Sequence, residues 1–125
     1  MKDQPSNQSP QPNEEELTSE YANNVYFLGN IWDLKLLFGE LTATSQKIDW
    51  HTSITLPWAQ AKLMEYYLKL NIAAYEASNG RIKVPESMLP PAPPPIAEED
   101  KNSPGAKKMV DFIIEERRKF LESMK

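Results

Sequence analysis

The chain has 125 residues, 40% of them hydrophobic, a formal charge of −4 and no cysteine, so it holds at most one modest domain plus tails, with no disulfide or thiolate metal site. The charge is uneven: −3 over residues 1–18, 0 over 19–84, −3 over 85–104 and +2 over 105–125. A near-neutral centre without clustered Lys and Arg argues against phosphate-backbone binding, and no stretch approaches the roughly 18 apolar residues of a membrane span.

Residues 1–18 are rich in Gln, Ser, Pro, Asn and Glu, with Leu17 the one large apolar side chain after Met1. Such a segment buries too little apolar surface to offset its ordering entropy and reads as a disordered tail. It also lacks the apolar run of a secretory leader, which makes the cytoplasm the expected location. The run Glu14, Glu15 and Glu16 reads as solvated charge.

Residues 21–28 are aromatic and β-branched, as a strand requires. Gly29 and Asn30 signal a turn. Leu34, Leu36 and Phe38 then alternate with Lys35 and Leu37 up to Gly39, which predicts a hairpin with Ile31 and Trp32 at or near its turn. Ile48, Trp50, Ile54 and Leu56 fall on even positions with Asp49, His51, Ser53 and Thr55 between them. That period-2 pattern predicts a third strand with one apolar and one wet face. Pro57 then removes a backbone donor and suits the first turn of a helix, with the Thr55 hydroxyl as a candidate cap.

Over residues 57–78, Lys62, Glu65, Lys69 and Glu76 share a narrow polar face, and the rest is apolar over a wide arc. An arc that wide needs more than one surface against it, the sheet and a second copy of the chain being the natural pair. Asn79 and Gly80 close the helix. The expected fold class is α+β: a three-stranded antiparallel meander followed by a long helix, occupying residues 19–84.

Arg81, Ile82, Lys83 and Val84 have the composition of a short edge strand. Residues 85–104 form a Pro-rich spacer, within which residues 88–96 read as polyproline II, about 28 Å long at about 3.1 Å per residue. Ser103 as cap and Pro104 at the first helical position open a separate amphipathic helix, placed at 105–125. Met109, Phe112, Ile113, Phe120 and Leu121 lie near one side of it, so this stripe needs a partner surface in cis or in trans.

Tyr21, Asn23 and Val25, then Asp33, Leu34, Leu36, Phe38 and Gly39, Pro57 with Ala61 and Lys62, and Asn71, Ile72, Tyr75 and Glu76 with Gly80 and Ile82 together resemble a bacterial family, the domain of unknown function 3467 (DUF3467). The resemblance covers about residues 20–84 and implies a small β-meander with a helix, without an assigned activity. The family usually carries a Ser before the helix proline; Leu56 stands here.

Catalytic chemistry is hard to build from this composition. The single histidine, His51, is expected on the strand face opposite Trp50 and Ile54. Asp49 and Ser53 share that face, but side chains two apart on a strand are separated by about 7 Å, which argues against a Ser/His/Asp triad. One histidine with scattered carboxylates makes no transition-metal site, the four glycines are isolated, and no cofactor is implied.

A unit of some 65 residues buries only about 60% of its unfolded surface, yet ten aromatic residues lie between Tyr21 and Tyr75. A homodimer is the expected way to cover them. These residues therefore predict a non-enzymatic interaction or assembly module, dimeric, presenting a tethered helix to a larger protein partner. Its candidate contacts are Trp32, Trp58, Met109, Phe112, Ile113, Phe120 and Leu121. The alternative is a nucleic-acid-associated regulator using Lys107, Lys108, Arg117, Arg118 and Lys119.

Overall fold

A computed structural model describes residues 11–125. The expected disordered tail falls mostly outside the described residues; its visible end makes one 3-10 turn, Glu14–Glu16, capped by the Asn13 side chain. Two compact units follow one another along the chain, the first ending at Glu65 and the second running from Tyr66 to Lys125.

The first unit is a sheet of β1 (Asn24–Gly29), β2 (Asp33–Glu40) and β3 (Asp49–Pro57) in the order β1-β2-β3, all antiparallel. This is the expected meander. The first strand starts later than its composition suggests, because Asn23 is used to tie off the sheet end: its amide exchanges hydrogen bonds with both backbone groups of Leu41. Pro57 ends β3 opposite Asp33 instead of opening the helix, and Thr55 pairs with Lys35 in the ladder instead of capping. The helix α1 (Trp58–Asn79) begins with no intervening loop. It stops as expected at Gly80, whose φ of +87° is the left-handed geometry that glycine accepts, with its N–H bonded to the Glu76 carbonyl at 3.0 Å.

The alternation read for β3 holds only in halves. Thr52 stands opposite Phe38 and Trp50 opposite Gly39, so His51 is an extra residue, a β-bulge. Residues directly opposite share a face. One face therefore carries Val25 and Phe38 with Thr52, Phe27 and Leu36 with Ile54, and Leu34 with Leu56. The other carries Tyr26 and Leu37 with Ser53, and Leu28 and Lys35 with Thr55. Trp50 crosses to this second face, where its ring meets Tyr26 edge-on at 6.4 Å. Ile48 and Trp50 thus lie opposite Ile54 and Leu56, not beside them. Gly39 makes room for the change: a Cβ there would come within 2.7 Å of Ile48 and 2.8 Å of Trp50.

In the second unit, α1 from Tyr66 onward leads into an irregular stretch and then α2 (Pro104–Glu122). Residues 81–84 form no strand, contrary to the edge strand suggested by their composition. Their polar groups are spent on helices instead: the Ile82 N–H bonds Glu76, the Arg81 guanidinium donates to the Ser123 carbonyl, and the Val84 N–H points at the Met124 sulfur. A 3-10 turn, Glu86–Met88, precedes the proline run. Leu89, at φ −65° and ψ 143°, has the polyproline II conformation. The opening of α2 is as expected, with the Ser103 hydroxyl accepting from the Ala106 N–H and Pro104 in the first turn.

Candidate functional site

The prominent features of the described residues are apolar surfaces and the devices that hold them in place. The first is the β1–β2 hairpin tip. The Asn30 side chain accepts from the backbone N–H of Trp32 at 2.7 Å and of Asp33 at 2.9 Å, and donates to the Asp33 carboxylate at 3.2 Å. The Asn30 carbonyl in turn accepts from the Trp58 indole N–H at 2.7 Å, and that ring covers Gly29, where a Cβ would sit only 3.0 Å away. Trp58 is thus a clamp between the start of α1 and the hairpin. Between these fixed points Ile31 and Trp32 project outward, 82% and 78% exposed. Of the two tryptophans marked from the sequence, Trp32 is the free one and Trp58 is tied by its polar edge.

His51 shares its face with Ile54, contrary to the alternation reading, because the bulge re-aims it. Its side chain, 20% exposed, contributes to a recess of about 280 Å³ with Thr18, Glu20, Phe38 and Ile54. Nε2 lies 2.9 Å from the Tyr21 carbonyl, which only accepts, so Nε2 carries a proton. Nδ1 lies 2.7 Å from the Thr52 hydroxyl and 3.4 Å from the Glu20 carboxylate. Both ring nitrogens are therefore engaged in pinning the segment before β1 against β3. Neither Asp49 nor Ser53 is among the ring's partners.

The sheet is apolar on both sides. Val25, Phe27 and Ile54 are exposed on one face, Tyr26, Leu28 and Trp50 on the other, and Leu36, at 4%, is the one buried hydrophobic side chain among the described residues. Helix α1 continues the pattern. Around its axis, Leu63, Tyr66, Tyr67 and Leu70 make one apolar stripe, with Ala73, Ala74 and Ala77 extending it. Met64, Leu68, Ile72 and Tyr75 make a second. All of these except Met64 are exposed.

On α2 the sequence-marked stripe divides. Ala106, Val110, Arg117, Leu121 and Met124 recur at three-, four- and seven-residue steps and are half-buried. So are Pro90, Pro93 and Ile96, which a threefold polyproline helix places along one edge. The Arg117 guanidinium donates to the Pro90 carbonyl at 2.9 Å, joining the two rows. The proline stretch is thus more than a spacer, since its Pro90 carbonyl is bonded to the helix that follows it. Leu121 faces inward, Met109 and Phe112 stay outside at 57% and 59%, and Ile113 and Phe120 lie at the margin, both at 37%.

The basic residues of α2 are largely paired within the helix: Lys107 with Asp111, Arg118 with Glu115, and Lys119 with Glu116. The two-pronged hydrogen bond from Arg118 holds the Glu115 carboxyl below its ordinary range, and the same bond raises the guanidinium. A shallow hollow of about 430 Å³ near the end of α2 gathers Arg81, Arg118, Lys119 and Lys125 around Glu122. Nothing local in the chain points to Arg81 there, 37 positions before Arg118. Among the described residues no cluster of three His, Asp or Glu is placed to hold a metal ion, and no helix is long and apolar enough to cross a membrane.

No curated protein and no solved structure matches the chain. The family model for the protein of unknown function DUF3467 matches residues 1–84, which takes in the whole sheet and α1. The chain therefore belongs to the DUF3467 family.

Proposed function

We propose that the chain is a non-enzymatic assembly module, a homodimer in which a second copy covers part of the exposed apolar surface and the remaining apolar groups dock a larger protein partner. The observation that carries this reading is the sheet itself: three strands with large apolar side chains on both faces, of which Leu36 alone is buried. A monomer rarely leaves contiguous apolar surface of that kind in water. At the rigid hairpin tip, Ile31 and Trp32 are held outward by Asn30 without needing to be ordered on contact, the preorganisation that favours an anchor residue. Met109 and Phe112 on α2 supply a second anchor pair. His51 serves as a structural pin, with no free ring nitrogen to act as a base.

Light scattering on the full chain over a range of concentrations tests the dimer. The expected mass is twice that of one chain, and a single-chain mass at every concentration removes the reading. For the partner, a Trp32→Ser, Phe112→Ser double variant is expected to stay dimeric and lose a protein that the unaltered chain captures from lysate. Unchanged capture assigns the docking elsewhere.

A further inference from the structure

We infer that two copies meet through an antiparallel pairing of α1, along the stripe that begins at Tyr66. This rests on the dimer reading above and specifies its contact. Tyr66, Leu70, Ala73 and Ala77 follow steps of four, three and four residues, the spacing of a seam between two helices. Tyr66 and Leu70 are exposed in the single chain, as are Ala73 and Ala77. The bulky residues occupy the first half of the seam and the alanines the second.

That gradient selects the orientation and the occupant. Run antiparallel about a twofold axis between Asn71 and Ile72, the seam sets Tyr66 against the second copy's Ala77 and Leu70 against its Ala73. Every layer then joins a large side chain to a small one, and the two backbones stay at one distance throughout. Tyr67 meets Ala74 along one margin in the same way. A parallel pair would stack Tyr66 on Tyr66 at one end and Ala77 on Ala77 at the other, crowding the first and leaving the second empty. The twofold axis makes the surface complementary to itself, as a closed dimer requires.

Charge agrees with size. Lys69 and Glu76 flank the seam on its other margin, seven residues apart, so the antiparallel axis brings Lys69 of one copy beside Glu76 of the other, twice. Glu76 has an oxygen to spare for this, since its Oε2 takes the Ile82 N–H. Within its own chain, Lys69 forms no ion pair among the described residues, whereas Lys62 bonds Glu65.

The natural chain has no cysteine, so single-cysteine variants report contacts without background. Tyr66→Cys and Ala77→Cys versions of the full chain are prepared separately, mixed, allowed to exchange and oxidised. The mixture is expected to form a disulfide-linked dimer and each variant alone is not, because two copies of position 66 lie eleven residues apart along the axis, about 16 Å, well beyond the roughly 7 Å that a disulfide spans. Ala73→Glu, which places a carboxylate against Leu70, is expected to raise the dimer dissociation constant at least ten-fold with helix content unchanged.

Disulfide dimers from either variant alone overturn the antiparallel pairing. A dimer by light scattering that cross-links in none of the samples, or that tolerates Ala73→Glu, overturns the α1 contact and leaves the homodimer standing. A monomer throughout overturns both.

Discussion

The two units solve the same problem in opposite ways. The C-terminal unit ties its Pro-rich stretch to α2 through the Arg117 guanidinium and the Pro90 carbonyl, with Pro90, Pro93 and Ile96 half-buried three apart and a half-buried stripe on α2 from Ala106 to Met124. Among the described residues of the sheet, Val25, Phe27 and Ile54 on one side and Tyr26, Leu28 and Trp50 on the other stay exposed. A polyproline II segment has no internal hydrogen bonds and a preset backbone, so laying it along a helix costs little ordering entropy and satisfies its apolar edge locally. A three-stranded sheet apolar on both faces has no equivalent local device. The proline device reaches only part of its own unit, since Met109 and Phe112 on α2 and Tyr66 and Leu70 on α1 stay exposed there.

Substitutions separate the two solutions, beginning with the sheet. Gly39→Val forces a side chain into the space held by Ile48 and Trp50 and is expected to cost about 3 kcal/mol by overpacking, read as a lowered thermal midpoint with a red-shifted tryptophan spectrum. Asn30→Ala removes the acceptor for two backbone N–H groups at the hairpin tip and is expected to cost about 1–2 kcal/mol. Its hydrogen exchange should quicken at Trp32 and Asp33 while α2 is unaffected. A change at Asn30 that loosened α2 equally would dissolve the contrast.

For the C-terminal unit the expected effects are smaller. Ser103→Ala removes the α2 cap at a cost of about 1 kcal/mol, seen as faster exchange in the first turn of α2 with the sheet protected as before. Least of all is the acid response of Glu115. Its folded pKa is depressed, so its contribution is present above the ordinary value of 4.5 and is lost as pH falls through the lower folded value. Helix signal from α2 should therefore soften slightly in acid, and Arg118→Gln should abolish that component.

Much of this architecture was legible in the residues. Ser103 and Pro104 marked the start of α2, Asn79 and Gly80 the end of α1, and the alternation at Leu34, Leu36 and Phe38 the central strand, because caps, turns and periodicity are local effects. The bulge was not legible, since alternation over residues 48–56 is equally well satisfied by an unbroken strand. Its one available signal was Gly39, a residue with no side chain facing the strand that carries Trp50. Residues 81–84 misled for a related reason: their β-branched composition fits an edge strand, yet their hydrogen bonds go to Glu76 and to the end of α2, residues that no local pattern connects. For the candidate contacts, sequence separated neither Trp32 from Trp58 nor Leu121 from Phe112, because exposure depends on partners distant along the chain.

The bulge at His51 also bears on how the sheet finds its register. In most sheets a strand that slips by one residue turns its apolar set toward water, and that cost edits out the error. Here both faces are apolar, so a slipped β3 would lose little by the exchange. Alignment must rest instead on landmarks that fit in one place only: the Trp50 ring over Gly39, the Asn30 turn, and the imidazole reaching Tyr21. Folding fidelity in this chain is concentrated in a few positions, and a variant that erases one of them should yield a mixture of alignments, visible as doubled amide resonances along β3.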